Sequence, residues 1–144
     1  MKFKDFEIKK FKDFEIKHRE LILRVLGILF FGWGAIAVGY SIIVENSSQI
    51  LWQCYMGLLL IGTGILKRNG VLVGSQLTIM AIPLILWDID FFAFAFLGNP
   101  FMGITDYMFT EQRFALAQII SLQHLFTVPF ALYALSVIKV KHAY

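Results

Sequence analysis

Cysteine is nearly missing from this chain. Cys54 stands alone among 144 residues, which excludes an internal disulfide and a cysteine-rich zinc site. Charge is scarce too, at 16% of residues against about 25% in soluble domains. There is no HExxH pair, no glycine-rich phosphate loop and no serine-nucleophile elbow, so the common hydrolase and nucleotide-binding signatures are absent. The apolar runs lack the two-residue alternation of a β-barrel and carry too many glycines for one. Apolar residues, by contrast, make up 58% of the chain, and the mean hydropathy is +0.71. This composition excludes a disordered chain, a collagen-like repeat and an ordinary soluble enzyme, and leaves a small polytopic membrane protein.

A helix needs about 20 apolar residues to cross some 30 Å of hydrocarbon. Four stretches qualify: Val25–Val44, Ile50–Leu66, Val71–Trp87 and Phe114–Ile138. Backbone amides have no water to bond inside lipid, so each must be helical. The expected fold is therefore an all-α, four-helix polytopic bundle. The connections Glu45–Gln49 and Lys67–Gly70 are short, so the first three helices are antiparallel neighbours. Asp88–Arg113 is the one long loop, and its Phe91–Leu97 run is too apolar to be solvated and too short to span. That run is expected to be an interfacial or re-entrant segment between helices 3 and 4.

Charge sets the orientation. With four crossings, the N-terminal arm, the 67–70 turn and the C-terminus share one side, which collects 12 of the 13 basic residues; only Arg113 falls opposite. By the positive-inside rule both termini are cytoplasmic, in the cell membrane. Ala35-Ile-Ala37 has the form of a cleavage site. The charged region before it is too long for a signal peptide, however, and the apolar run continues past it to Val44.

Residues 1–24 form a charged cytoplasmic arm ahead of the membrane domain at 25–144. Its octapeptide Lys2–Lys9, KFKDFEIK, recurs unchanged as Lys10–Lys17. Eight residues of helix turn through 800°, so each copy is rotated about 80° from the last and no coiled-coil seam forms. Acid-to-base pairs at i,i+4, such as Glu15–Arg19 and Glu20–Arg24, favour a helix running into the first span. Two roles stay open: an amphipathic arm on anionic lipid, or a charged extension that only holds topology. Nucleic-acid binding is not expected, since the basic residues serve orientation and no recognition motif accompanies them.

Small residues mark the faces where helices approach in lipid. The expected faces are Gly32, Ala35 and Gly39 on the first span, Gly57 and Gly64 on the second, and Gly70 and Gly74 on the third. Intramolecular packing is the expected use of these faces. Pro83 and Pro129 free the carbonyls of Ile79 and Leu125. His124 lies about 15 Å deep in the last span, on a face with Ser121, Thr127 and Ala131, and so points into the bundle. An ionisable group at that depth is by default a functional hypothesis. Beside it stands the plainer role of a hydrogen-bonded histidine joining two helices.

The outer half also holds Gln53, Trp87, Asp88, Asp90 and Asp106. Carboxylates beside an imidazole permit proton relay, metal binding or general acid–base chemistry. With one deep histidine, no metal site is specified, and no cofactor is named by the sequence. Nothing in the spacing specifies a nucleophilic pair of Cys54 with His124.

Three segments, WDIDFF at Trp87–Phe92, GITDYMF at Gly103–Phe109 and SLQH at Ser121–His124 with Pro129, resemble an uncharacterised family of small prokaryotic multi-pass membrane proteins. The resemblance spans roughly Leu51–Leu135. It implies Trp87, Asp90, Asp106, Tyr107, Ser121, His124 and Pro129 as characteristic positions, implies further spans after the last helix in longer relatives, and carries no activity.

The expected function is an integral membrane protein whose outward-facing pocket binds a small or lipid-like ligand through His124, Asp88, Asp90, Asp106, Trp87, Gln53 and Ser121. The alternatives are a membrane-embedded enzyme with His124 as acid/base, and a structural subunit of a membrane complex. The bilayer is the expected partner, with a homo-oligomer or a membrane partner subunit as the protein alternative. The orientation is testable by fusions. A fluorescent protein after Tyr144 should be bright, and alkaline phosphatase there should be inactive but active when placed in Glu45–Gln49. The reverse pattern would overturn the topology.

Overall fold

The computed structural model describes residues 2–43, 53–109 and 115–141, and all regular structure among them is helical. The elements are α1 (Lys2–Ile43), α2 (Gln53–Leu66), α3 (Gly70–Leu97), α4 (Asp106–Phe109), α5 (Ala115–Ser121) and α6 (His124–Lys141). Three stretches are long and apolar enough to cross a membrane: Phe14–Ile43, Gly70–Leu97 and Gln118–Ile138. The apolar stretch Cys54–Leu66 is shorter. The Glu45–Gln49 connection, Arg113, and the side chains of Gln53 and of the repeat through Asp13 lie outside the described residues.

The charged arm and the first apolar run are one unbroken helix of 42 residues, about 63 Å long at 1.5 Å per residue. Its packing on α2 is governed by glycines. A Cβ on Gly62 would stand 2.5 Å from the backbone nitrogen of Phe31 and 2.9 Å from the carbonyl oxygen of Gly27. On the α1 side, Gly27 and Gly34 meet Leu66 and Leu59. These two glycines lie seven residues apart, two turns along the same face. The expected Gly32/Ala35/Gly39 face is not the one used: a Cβ on Gly32 or Gly39 meets nothing within 4 Å, and Ala35 is exposed. Gly57 and Gly64 do serve close packing, against Met80 and Val73 of α3.

The turn from α2 to α3 is closed by two backbone bonds, Asn69 N–H to the Gly64 oxygen (2.8 Å) and Arg68 N–H to the Ile65 oxygen (3.1 Å). This is the Schellman pattern, which places Arg68 in the left-handed region at φ 56°. A non-glycine residue pays for that conformation, and here the guanidinium offsets it. Arg68 donates to the carboxylate of Glu20 on α1 and to the Ile65 carbonyl. Asn69 then caps α3, its side chain accepting from Leu72 N–H at 3.0 Å.

Two boundaries differ from expectation. The third helix does not end at Trp87; it passes through Pro83 and continues to Leu97. Phe91–Leu97 is thus the last two turns of α3, which pair its amides within the helix rather than in a separate re-entrant segment. The last apolar run is not one helix either, because it breaks at Leu122–Gln123 between α5 and α6. There Gln123 N–H bonds the Ile120 oxygen and Leu125 N–H the Leu122 oxygen, at three-residue spacing.

α1 packs chiefly on α2, α2 on α3 and α3 on α6, while α6 meets α1 only sparsely. Gly70 and Gly74 face Ile138 and Leu135 of α6, at ordinary contact distance. The buried core is apolar, with Leu23, Phe30, Leu58, Ile61, Ile65, Leu77, Met80, Ala131, Ala134 and Ile138 among its residues. Ile28, Ile36, Ile82 and Phe126 are exposed on the outside, the arrangement an apolar solvent permits. Gly62→Ala should lower the thermal stability of the detergent-solubilised protein by about 1–3 kcal/mol through overpacking. Gly32→Ala, facing open space, should be neutral or stabilising by up to about 1 kcal/mol. Equal effects would refute the close approach at Gly62.

Candidate functional site

α3 ends at Gly98, whose left-handed φ of 73° lets its N–H return to the Phe94 carbonyl. The chain then doubles back, and Asp90, about two turns before the helix end, captures it. One carboxylate oxygen accepts the backbone N–H of Met102 and, at 3.3 Å, that of Gly103. The other accepts the Thr105 N–H at 2.8 Å and the Thr105 hydroxyl at 2.9 Å. Four donors occupy the four lone-pair positions a carboxylate offers, and Asp90 is 0% exposed. Asp90 is therefore an anchor for the 101–105 loop, with no oxygen left to face a ligand. Because the helix persists through Leu97, Asp88 points about 200° away from it, at 100° per residue.

Beyond the loop, α4 brings Tyr107 to Trp87, whose indole N–H donates to the phenol oxygen at 3.1 Å. Trp87 stacks with Phe91 and with His124, at centroid distances of 5.1 and 4.6 Å. Phe109 in turn stacks on Phe94 at 4.2 Å. Gln118 of α5 donates to the Met108 carbonyl at 3.1 Å. WDIDFF, GITDYMF and SLQH, well separated in sequence, thus build one cluster.

The break at Leu122–Gln123 sets the histidine. In a continuous helix the Ser121 carbonyl would accept from Leu125 N–H, but here that N–H goes to Leu122. His124 Nδ1 lies 2.5 Å from the Ser121 oxygen instead. A carbonyl can only accept, so Nδ1 carries the proton and, in the neutral ring, Nε2 is the acceptor edge. The ring is half-buried, and Thr127 and Ala131, three and seven residues on along α6, are buried on its side of that helix.

The expected site residues are thus only partly assembled. Trp87 and His124 are in contact, and Ser121 joins through its main-chain carbonyl. Asp90 belongs to the loop anchor. Asp106 is the first residue of α4, near Gly103. Asp88 is half-buried, and its Oδ1 is buried without a hydrogen-bond partner. Cys54 packs beside Ala37, Tyr55 and Ile120. Among the described residues, no three of His, Cys, Asp and Glu converge as metal ligands would.

A second feature was not anticipated from the sequence. Where α6 and α1 fail to close, a groove of about 300 Å³ runs between α1, α2 and the α5–α6 break. Its walls include Leu26, Phe30 and Trp33 of α1, Leu58 of α2, and Leu122, Gln123, Phe126 and Thr127 across the break. The only sign in the sequence is Gln123, a polar residue in an apolar run, since the break that turns it inward follows no glycine or proline. Compared with models of protein families, with curated proteins and with solved structures, the chain matches none.

Asp90→Ala should strip partners from three backbone amides and cost on the order of 3 kcal/mol. Hydrogen–deuterium exchange at Met102, Gly103 and Thr105 should speed up together, with Asp90→Asn intermediate because it keeps one acceptor oxygen. Unchanged exchange would remove the anchoring role.

Proposed function

We propose that this protein is a four-crossing integral membrane protein of the cell membrane, with both termini cytoplasmic, that holds a lipid-like ligand. The observation that carries the binding reading is the groove between α1 and the α5–α6 break. Its volume sits at the lower end of the roughly 300–1,000 Å³ of small-molecule sites. The supports for the topology are the placement of α2 between α1 and α3 and the charge asymmetry of the connections. The site moves from the Asp/His pocket to the groove because Asp90 is spent on its loop.

A second reading rests on the imidazole. His124 presents an acceptor Nε2 beside the Trp87–Tyr107 pair, an arrangement open to acid–base chemistry. Asp90 is not available to orient it. A role as a structural subunit is the third reading, with a partner protein as its expectation.

Native mass spectrometry of the protein extracted gently in lipid separates the three. A discrete retained mass that is lost in Leu29→Trp, which fills the groove from its rim, and kept in His124→Ala supports the groove. The opposite pattern assigns the ligand to the histidine cluster. A chain carrying only heterogeneous bulk lipid, or a co-purifying protein, overturns the ligand reading in favour of the subunit.

A further inference from the structure

The groove between α1, α2 and the α5–α6 break presents hydrocarbon to whatever enters it. Three side chains in its wall carry hydrogen-bonding groups, Trp33, Gln123 and Thr127, and none of them is offered to a ligand. The Trp33 indole N–H goes to the Ile120 carbonyl at 3.3 Å. Thr127 is buried, and its hydroxyl lies 2.7 Å from the Gln123 main-chain oxygen. The amide nitrogen of Gln123 is buried out of reach of the groove. No charged side chain stands in the wall, so an ionised ligand group would be desolvated without compensation.

Size decides which apolar group fits. From Leu26 to Trp33 the groove follows α1 for about 10 Å at 1.5 Å per residue. Its volume of about 300 Å³ then corresponds to a channel about 6 Å across. That admits one file of carbon atoms at contact distances of about 4 Å, but not two. A helix with its side chains, about 10 Å in diameter, would need about 800 Å³ over the same length.

The groove also has a direction. Trp33 bridges from α1 to Ile120 of α5 and closes one end. The exposed rim, Leu29, Phe126 and Phe130, lies on one side of that bridge. The pairs α1 with α2, α2 with α3 and α3 with α6 are each antiparallel, so α6 runs opposite to α1. The rim therefore lies toward the end of the bundle where α1 begins and α6 finishes.

From these we infer that the groove takes a single hydrocarbon tail of a membrane lipid lengthwise, its terminal methyl against Trp33 and its headgroup outside, so that the tail alone is recognised. The inference rests on the groove reading and names the part of the ligand that is held. With both termini cytoplasmic, the tail comes from the cytoplasmic leaflet.

The test uses the full chain in detergent micelles with phosphatidylcholine or phosphatidylglycerol. The chains of these lipids carry bromine either beside the headgroup or near the tail end. Bromine quenches the fluorescence of Trp33 on contact, and Trp33→Phe gives the background from the other tryptophans. Quenching should saturate as lipid is added, and bromine near the tail end should quench more strongly. The two headgroups should differ by less than about twofold in half-quenching mole fraction, where one well-made hydrogen bond to a headgroup would add about tenfold. Leu29→Phe, which fills the groove from its rim, should abolish the saturable component, and Leu122→Phe serves where Leu29→Phe does not fold. A larger headgroup preference, or stronger quenching by bromine beside the headgroup, overturns the tail recognition while the groove stands. Quenching that is absent, never saturates or is unchanged by the filling substitution overturns the groove itself.

Discussion

Every main-chain polar group in an apolar surrounding must find its partner inside the protein, and this constraint organises the structure. It explains why the described regular structure is all helical. It also explains the behaviour of the hydroxyl side chains. Ser41, Thr63, Thr78 and Thr127 each return a hydrogen bond to the carbonyl four residues earlier in the chain, so they add polarity without asking for an outside partner. Where the helix is interrupted, a side chain steps in. The imidazole of His124 takes the Ser121 carbonyl that the break releases, and the carboxylate of Asp90 takes three amides of a loop that no helix or sheet could satisfy. Asp88 and Gln123, each with one buried side-chain atom left without a partner, are exceptions among the described residues.

The same constraint assigns opposite roles to residues that look alike in sequence. Asp88 and Asp90 are two positions apart and of one chemistry. Asp90 falls on the face toward the returning chain and becomes part of the scaffold, whereas Asp88 falls elsewhere. Trp87 then joins what Asp90 has brought near, bonding Tyr107 and stacking on His124. The cluster is a junction of α3, α4 and the α5–α6 break, and its first effect is to hold the kinked last run against α3.

Much of the helical layout was legible in the sequence, because long apolar runs and short polar connections follow from bilayer thickness and backbone pairing. Less legible were features that depend on tertiary register. The glycines used between α1 and α2 are Gly27, Gly34 and Gly62, whereas Gly32 and Gly39, equally plausible by spacing, face open space. The run Phe91–Leu97 has no helix-breaking residue before Gly98, and it extends α3 for that reason. The break at Leu122–Gln123 lies before Pro129, not at it. Of the expected site, His124, Ser121 and Trp87 come together, because depth and helical face are readable from spacing. The saturation of Asp90 was not readable, since its partners are backbone amides that carry no sequence mark.

The unbroken course of α1 gives the duplicated octapeptide a mechanical meaning. A rod lengthened by eight residues carries its free end about 12 Å farther along the axis. Each copy also swings that end by about 80° around the axis, so copy number sets both reach and bearing. A tandem duplication inside a continuous helix is a ruler with a built-in twist. It changes where the chain's first residues stand relative to the bundle while leaving every contact of the span untouched.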